Sequence, residues 1–283
     1  MTLHTLWLLQ CALTTAIGLS LGSFANLAIH RIPQDLSVVS PGSHCPHCSH
    51  PIRRRDNIPL ISWLLLAGAC RDCGAKIHLR YPAVELLVGL LSTLIYLRFI
   101  PTPEDLAAVS LIAALFYTVF ATALVIATMV DIGHLIIPDS TSILAAPFGI
   151  LGLWGLSMLG FTDPLIPTPS QALLGAVVAG AAFSLFSVVA GFILKHEGLG
   201  WGDVKLAVML GAFLGGWPGL IVVVMIASLL GSVIGILHLV LTRKRAYLPF
   251  GPALAAAGIA YLLYGNAIVS GFLPGIAMSL RLI

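Results

Sequence analysis

The residues predict an all-α polytopic membrane protein of about eight transmembrane helices, with one small loop domain outside the bilayer. Three observations lead there. Of the 283 residues, 59% are apolar and only 9% charged, against roughly 25% charged in soluble domains. The Leu/Val/Ile/Ala runs approach the roughly 20 residues that a spanning helix needs, and they do not alternate apolar with polar, which excludes a strand barrel. The basic residues cluster in particular loops, so their placement says more than the net charge of +3. The 28 Gly and 17 Pro among these runs suit helices that pack closely within a membrane.

The elements follow in order. The run 7–29 is too long for a signal-peptide core and lacks a basic leader, so the segment 1–30 is expected to stay as a first transmembrane helix. Residues 31–81 form the one polar stretch large enough for a small domain. At about 50 residues, such a domain needs a staple. Residues 82–283 carry the remaining helices, with spans at 82–100, 106–130, 140–160, 171–194, 218–241 and 249–269. The stretch 204–216 is apolar but short and runs into Gly-Trp-Pro-Gly. It reads as a short eighth span or a re-entrant piece, and the charge distribution favours the span. With eight spans, Arg31, Arg53, Arg54, Arg55, Arg71, Lys76, Arg80, Lys195, Lys205, Arg243, Lys244 and Arg245 all fall on one face, leaving Arg98 and Arg281 on the other. Twelve of the fourteen basic residues then lie inside, so the amino terminus is expected outside and the 31–81 loop in the cytoplasm.

That loop holds four of the five cysteines, as Cys45-Pro-His-Cys48 and Cys70-Arg-Asp-Cys73. Two such pairs facing a reducing cytoplasm favour a tetrahedral Zn²⁺ site of four thiolates over disulfides, and structural zinc is the usual staple of a minidomain. Two disulfides or unliganded thiols are the alternative readings, and His44, His47 and His50 are rival ligands. Cys11 sits alone in an apolar run and is expected only to pack.

Asp131 closes a long apolar run, and Asp203 ends Gly198-Leu-Gly-Trp-Gly-Asp203 at the start of the short span. Acids at membrane depth are costly and tend to be functional, although a single carboxylate at a helix end is often a cap. Two at one depth can share a proton and activate a water between them. The glycines before Asp203 lack a preceding strand and a following Lys-Ser/Thr, so a nucleotide loop is a poor reading. They suit close approach of substrate backbone instead. Asp139, after Pro138 and before Ser140, is expected to cap the next span. Glu85 lies four residues into the second span, where capping, a boundary position or a functional role all remain open.

At these residues the sequence resembles the bacterial type IV prepilin peptidases, membrane aspartic proteases with a Gly-x-Gly-Asp motif. The resemblance covers nearly the whole chain. Gly22-Ser-Phe-Ala-Asn26-Leu-Ala-Ile-His30-Arg31, Cys45 to Cys48, Asn57-Ile-Pro-Leu-Ile-Ser62-Trp63, Cys70 to Cys73 and Arg80-Tyr81-Pro82-Ala-Val-Glu85 resemble the family's amino-terminal half. Asp131 with Pro138-Asp139, Gly202-Asp203-Val-Lys205 and Pro249-Phe-Gly251-Pro252 resemble its protease half. Asp131-Ile-Gly133 lacks the acid that the family commonly carries two residues on; the first Asp is the one retained. The resemblance implies that Asp131 and Asp203 are the catalytic dyad and that the substrates are prepilins or pseudopilins. It also implies that the cysteine loop supports methyl transfer from S-adenosyl-L-methionine to the new amino terminus, usually a Phe. The expected partners are those substrates and the lipid bilayer of the bacterial inner membrane, with no nucleic acid. A cleavage-only enzyme of the preflagellin peptidase type is the nearest alternative, but it is expected to lack the cysteine loop. A proton-coupled transporter leaves that loop unexplained, and a zinc-bearing binding module leaves both aspartates unexplained.

Overall fold

Helix α1, Leu3–Arg31, begins where the Thr2 hydroxyl accepts the Thr5 N–H and ends in His30 and Arg31, which complement the helix dipole. It belongs to a computed structural model that describes residues 2–194, 199–243 and 249–272. Lys195, Gly198, Lys244, Arg245 and Arg281 lie outside the described residues. Among the described residues the regular structure is helical, the sole strand-type pairings being isolated bridges between His44 and Pro51 and between Ala69 and Lys76.

The remaining helices are α2 (Ile61–Leu65), α3 (Arg80–Phe99), α4 (Ala108–His134), α5 (Ala145–Met158), α6 (Pro169–Leu194), α7 (Trp201–Leu214), α8 (Ile221–Thr242) and α9 (Gly251–Phe272). Among the described residues, seven helical segments, those containing α1, α3, α4, α5, α6, α8 and α9, are long and apolar enough to cross a membrane. They fall where the apolar runs place them. The chain divides into two compact units, Met1–Ile126 and Ala127–Ile283.

In the first unit α1 and α3 pack along their length. A Cβ on Gly22 would meet the Glu85 backbone, so only glycine permits this approach. Polar groups inside the pair are matched across it: the Ser92 hydroxyl donates to the Thr14 carbonyl at 2.8 Å, and the Trp7 indole donates to the Ile100 carbonyl at 3.0 Å. Without water to compete, each such group needs a partner within the protein. The 31–81 loop is tied to the same helices, with the Arg31 guanidinium donating to the Ser37 and Gly42 carbonyls and the Asn26 amide to the Tyr81 carbonyl at 2.9 Å.

In the second unit α7 occupies the centre, packed by α5, α6 and α9. Its 14 residues rise about 21 Å, short of a hydrocarbon core of about 30 Å. It meets protein rather than lipid, so it does not need a full span. Gly175 of α6 and Gly211 of α7 touch backbone to backbone, and a Cβ on either would enter the other's peptide. After Leu214 the left-handed Gly215 (φ 76°) breaks the helix and the chain returns through Gly216–Leu220 into α8.

Candidate active site and metal centre

Asp131 lies on the last turn of α4, whose end is set by Leu135 in a left-handed conformation (φ 56°) with its N–H on the Asp131 carbonyl at 2.9 Å. Asp203 lies on the first turn of α7, where Gly200 is the N-cap and accepts the Asp203 N–H at 3.0 Å. Each aspartate is only 6% exposed. They are close enough that the Asp131 charge acts on Asp203.

Their structural explanations differ. The Asp203 carboxylate faces the Gly200 N–H, as an acid at the third helical position does in a capping box, and it stands at the positive end of the helix dipole. Asp131 stands at the negative end of its helix, where a carboxylate is disfavoured. Its Oδ2 is buried without a hydrogen-bond partner among the described residues, although the Gly251 backbone N–H faces the carboxylate. A Cβ on Gly251 would strike Asp131 Oδ2 and Ile137, so the start of α9 must be glycine to lie this close. Capping therefore accounts for part of Asp203 and none of Asp131.

Asp139 does not cap the following span. The turn Asp139–Thr141 has no side-chain cap bond, and the Asp139 carboxylate instead accepts from Lys205 Nζ at 2.5 Å. The pair spans 66 positions in sequence, so no local pattern announces it. It fastens the loop after Asp131 to the helix that carries Asp203.

A groove of about 1740 Å³ runs along this unit, walled by residues of α6 and α8 such as Val178, Phe183 and Met225. At one end it reaches Ile132 and Gly133, next to Asp131, and Phe250 and Pro252, either side of Gly251. It exceeds the roughly 300–1,000 Å³ of small-ligand sites. An apolar helix is a better match to its size and lining.

In the first unit the two cysteine pairs form matching knuckles. Cys45 N–H donates to the His50 carbonyl and Ser49 N–H to the Cys45 carbonyl; Cys70, Ala75 and Gly74 repeat the pattern. Ser49 (φ 59°) and Gly74 (φ 70°) take the same left-handed turn. The four sulfurs lie within 4.8 Å of one another, and Cys45 Sγ is 3.8 Å from Cys73 Sγ. No disulfide bond joins them. A tetrahedron with arms of about 2.3 Å has edges of about 3.8 Å, so this spacing fits a four-thiolate zinc site. The Cys48 and His47 N–H groups, against the opposing effect of burial, hold the Cys45 thiol down at about 6. Although the Ala75 N–H acts to lower Cys73, burial and the neighbouring sulfurs push it up to about 12. Such mutual opposition is what a bound cation relieves. Arg71 grips Asp56 through two bonds of 2.6 and 2.8 Å, and Arg53 pairs with Asp72 at 3.1 Å, joining the knuckles to the segment between them. The Arg71 guanidinium beside Asp56 holds its carboxyl below the usual range.

The second span's acid is also placed. Glu85 is 8% exposed, beyond the first turn of α3 and so not a cap, and its Oε2 accepts the Leu60 N–H at 2.8 Å.

A helical membrane protein with two buried aspartates meeting at helix ends, and a four-thiolate cluster in a loop, is the class that fold and site define. Residues 16–99 match the family model described as the Bacterial Peptidase A24 N-terminal domain, and 118–236 match that of the Type IV leader peptidase family. The chain is 40% identical to the Prepilin leader peptidase/N-methyltransferase of Myxococcus xanthus over 81% of its own length and 63% of that protein. It is 37% identical to the Type 4 prepilin-like proteins leader peptide-processing enzyme of Escherichia coli, over 88% of this chain and 91% of that one. It is 35% identical to the Prepilin leader peptidase/N-methyltransferase of Aeromonas salmonicida, over 96% and 97% of the two chains. No solved structure matches. The chain belongs to the type IV leader peptidase family.

Proposed function

We propose that this chain cleaves the basic leader of type IV prepilins or pseudopilins at the cytoplasmic membrane face and N-methylates the new terminal residue, usually Phe, using S-adenosyl-L-methionine. The observation that carries the cleavage reading is the pairing of Asp203 with Asp131, whose buried Oδ2 has no partner among the described residues and which sits at the unfavourable end of its helix. One aspartate takes a proton from water as its oxygen adds to the scissile carbonyl, while the other, protonated, donates to the carbonyl oxygen. The roles reverse as the C–N bond breaks and the departing amine takes a proton. The groove supports an apolar substrate helix lying beside α6 and α8, with its end at the dyad. A proton relay would need acids along a path, whereas the buried acids of this unit, among the described residues, are these two at one end.

The reading gives each part of the chain a task. Residues 1–30 form the first span, 31–81 a cytoplasmic domain stapled by Zn²⁺ on Cys45, Cys48, Cys70 and Cys73, and 82–283 the protease helices. Bound there, the cation would hold the four thiolates together and so staple the loop. The amino terminus lies outside the inner membrane, and the domain and dyad inside, as the basic residues direct. In the methylation step the donor supplies an electrophilic methyl group; the amine lone pair forms the C–N bond, the sulfur keeps the C–S electrons, and one proton leaves the nitrogen.

Asp131→Asn and Asp203→Asn test the cleavage reading. Asn preserves shape, and at Asp203 it still accepts the Gly200 N–H, so the cap survives while the base is lost. Each variant is expected to abolish leader removal from a coexpressed prepilin, seen as a gel shift, with protein level and metal content unchanged. Normal cleavage by either one eliminates the aspartic mechanism.

A further inference from the structure

A second cavity, of about 470 Å³, lies wholly within the first unit between the cysteine loop and helices α1 and α3. Its size falls inside the roughly 300–1,000 Å³ of cofactor and small-ligand sites. Three carboxylates line it: Asp56, Asp72 and Glu85. Two are spoken for, Asp56 by Arg71 and Asp72 by Arg53. Glu85 is the most deeply placed, 8% exposed, and has no ion-pair partner among the described residues. Its Oε2 accepts the Leu60 backbone N–H. Glu85 is thus the lining carboxylate left to face a cationic group of a ligand, while Arg31, which donates to main-chain carbonyls, also lines the cavity.

Asn26 lines the same cavity and is 2% exposed. Its Nδ2 donates to the Tyr81 carbonyl at 2.9 Å and the Gly22 carbonyl at 3.3 Å, which fixes the orientation of the amide. Its Oδ1 is then buried with no donor among the described residues. That oxygen is an acceptor awaiting an N–H or O–H.

The loop is strained at the point where it holds Glu85. Leu60 adopts φ 60°, ψ −51°, and the Ile61 N–H bonds back to the Pro59 carbonyl at 2.6 Å. This is a γ-turn of the rare, positive-φ kind, strained for a residue with a side chain. The turn directs the Leu60 N–H at the Glu85 carboxyl group and so fixes its position. Trp63 and Tyr81 add aromatic surface to the lining, and the exposed Lys76 adds a positive charge.

We propose that this cavity is the methyl-donor site, with Glu85 facing the positive charge of S-adenosyl-L-methionine and Asn26 Oδ1 accepting one of its N–H or O–H groups. The proposal rests on the methyl-transfer reading above. The donor's features match the lining: a sulfonium and an ammonium for Glu85, a carboxylate for Lys76, a flat base for Trp63 or Tyr81.

Equilibrium binding of radiolabelled S-adenosyl-L-methionine to the purified full chain in detergent tests it. Glu85→Gln keeps an acceptor for Leu60 N–H but removes the charge, and is expected to weaken binding at least about tenfold. Ser23→Trp, from the α1 wall of the cavity, fills the space and is expected to reduce binding to a similar degree. Leader cleavage and metal content should stay normal in both, which excludes misfolding. Unchanged affinity in both variants, with binding intact in the original chain, overturns the site alone. Absence of binding by the original chain, with cleavage intact, overturns the methylation reading and the site together.

Discussion

Asp139 and Lys205 bring a question of magnitude to the dyad's edge. Their side chains are 57% and 39% exposed, and an ion pair in that setting contributes at most about 1 kcal/mol. Asp139→Asn is therefore expected to retain most leader cleavage and to shorten the thermal inactivation half-life only modestly. Lys205→Met should behave alike, and the double variant should differ little from either single one. Complete loss of cleavage with Asp139→Asn alone would instead assign Asp139 to the chemistry. The two buried aspartates stand out in sequence because acids are scarce in this chain, eleven in all, and an acid in an apolar run is conspicuous. The Asp139 partner does not, because an ion pair between distant positions leaves no periodic trace. Neither does the role of Glu85, for it depends on a backbone N–H supplied by a strained turn 25 positions away.

Helix α7 connects packing to the site. It carries Asp203 at its start and presents Gly211 to Gly175 of α6 about two turns nearer its end. Gly211→Leu would drive a side chain into the α6 backbone, an overpacking that costs about 1–3 kcal/mol or more and can be relieved only by moving the helix. Cleavage should fall sharply, with the metal content of the first unit unaffected. Gly155→Leu on α5, where a Cβ meets nothing within 4 Å, should leave cleavage near normal. Equal loss in both would mean that helix packing in general, not the Gly175–Gly211 contact, governs activity. The long helices were legible because apolar runs in a membrane have few alternatives to helix. The centrality of α7 was not, since its mean composition resembles that of its neighbours and only its tertiary surroundings explain how 14 residues suffice.

The two compact units divide at Ala127, inside α4: the cysteine cluster and the Glu85 cavity belong to the first, while the aspartates and the groove belong to the second. Leader removal and methylation are therefore expected to respond separately to damage. Elemental analysis of chain purified without chelator should find about one Zn per molecule, because four sulfurs with Cys45 and Cys73 at a tetrahedral edge length fit that ion. Less than about half a Zn would count against the site. Cys45→Ser or Cys70→Ser removes one thiolate and should release the metal, since a structural site depends on all four ligands. The knuckles would then lose the staple that lets so small a loop fold, and with it the placement of Leu60 against Glu85. Methylation of a precleaved pilin should consequently fall much further than cleavage of a prepilin. An equal fall in both activities, with the metal gone, would show that the loop is needed for the whole chain to fold and that the two chemistries are not housed apart.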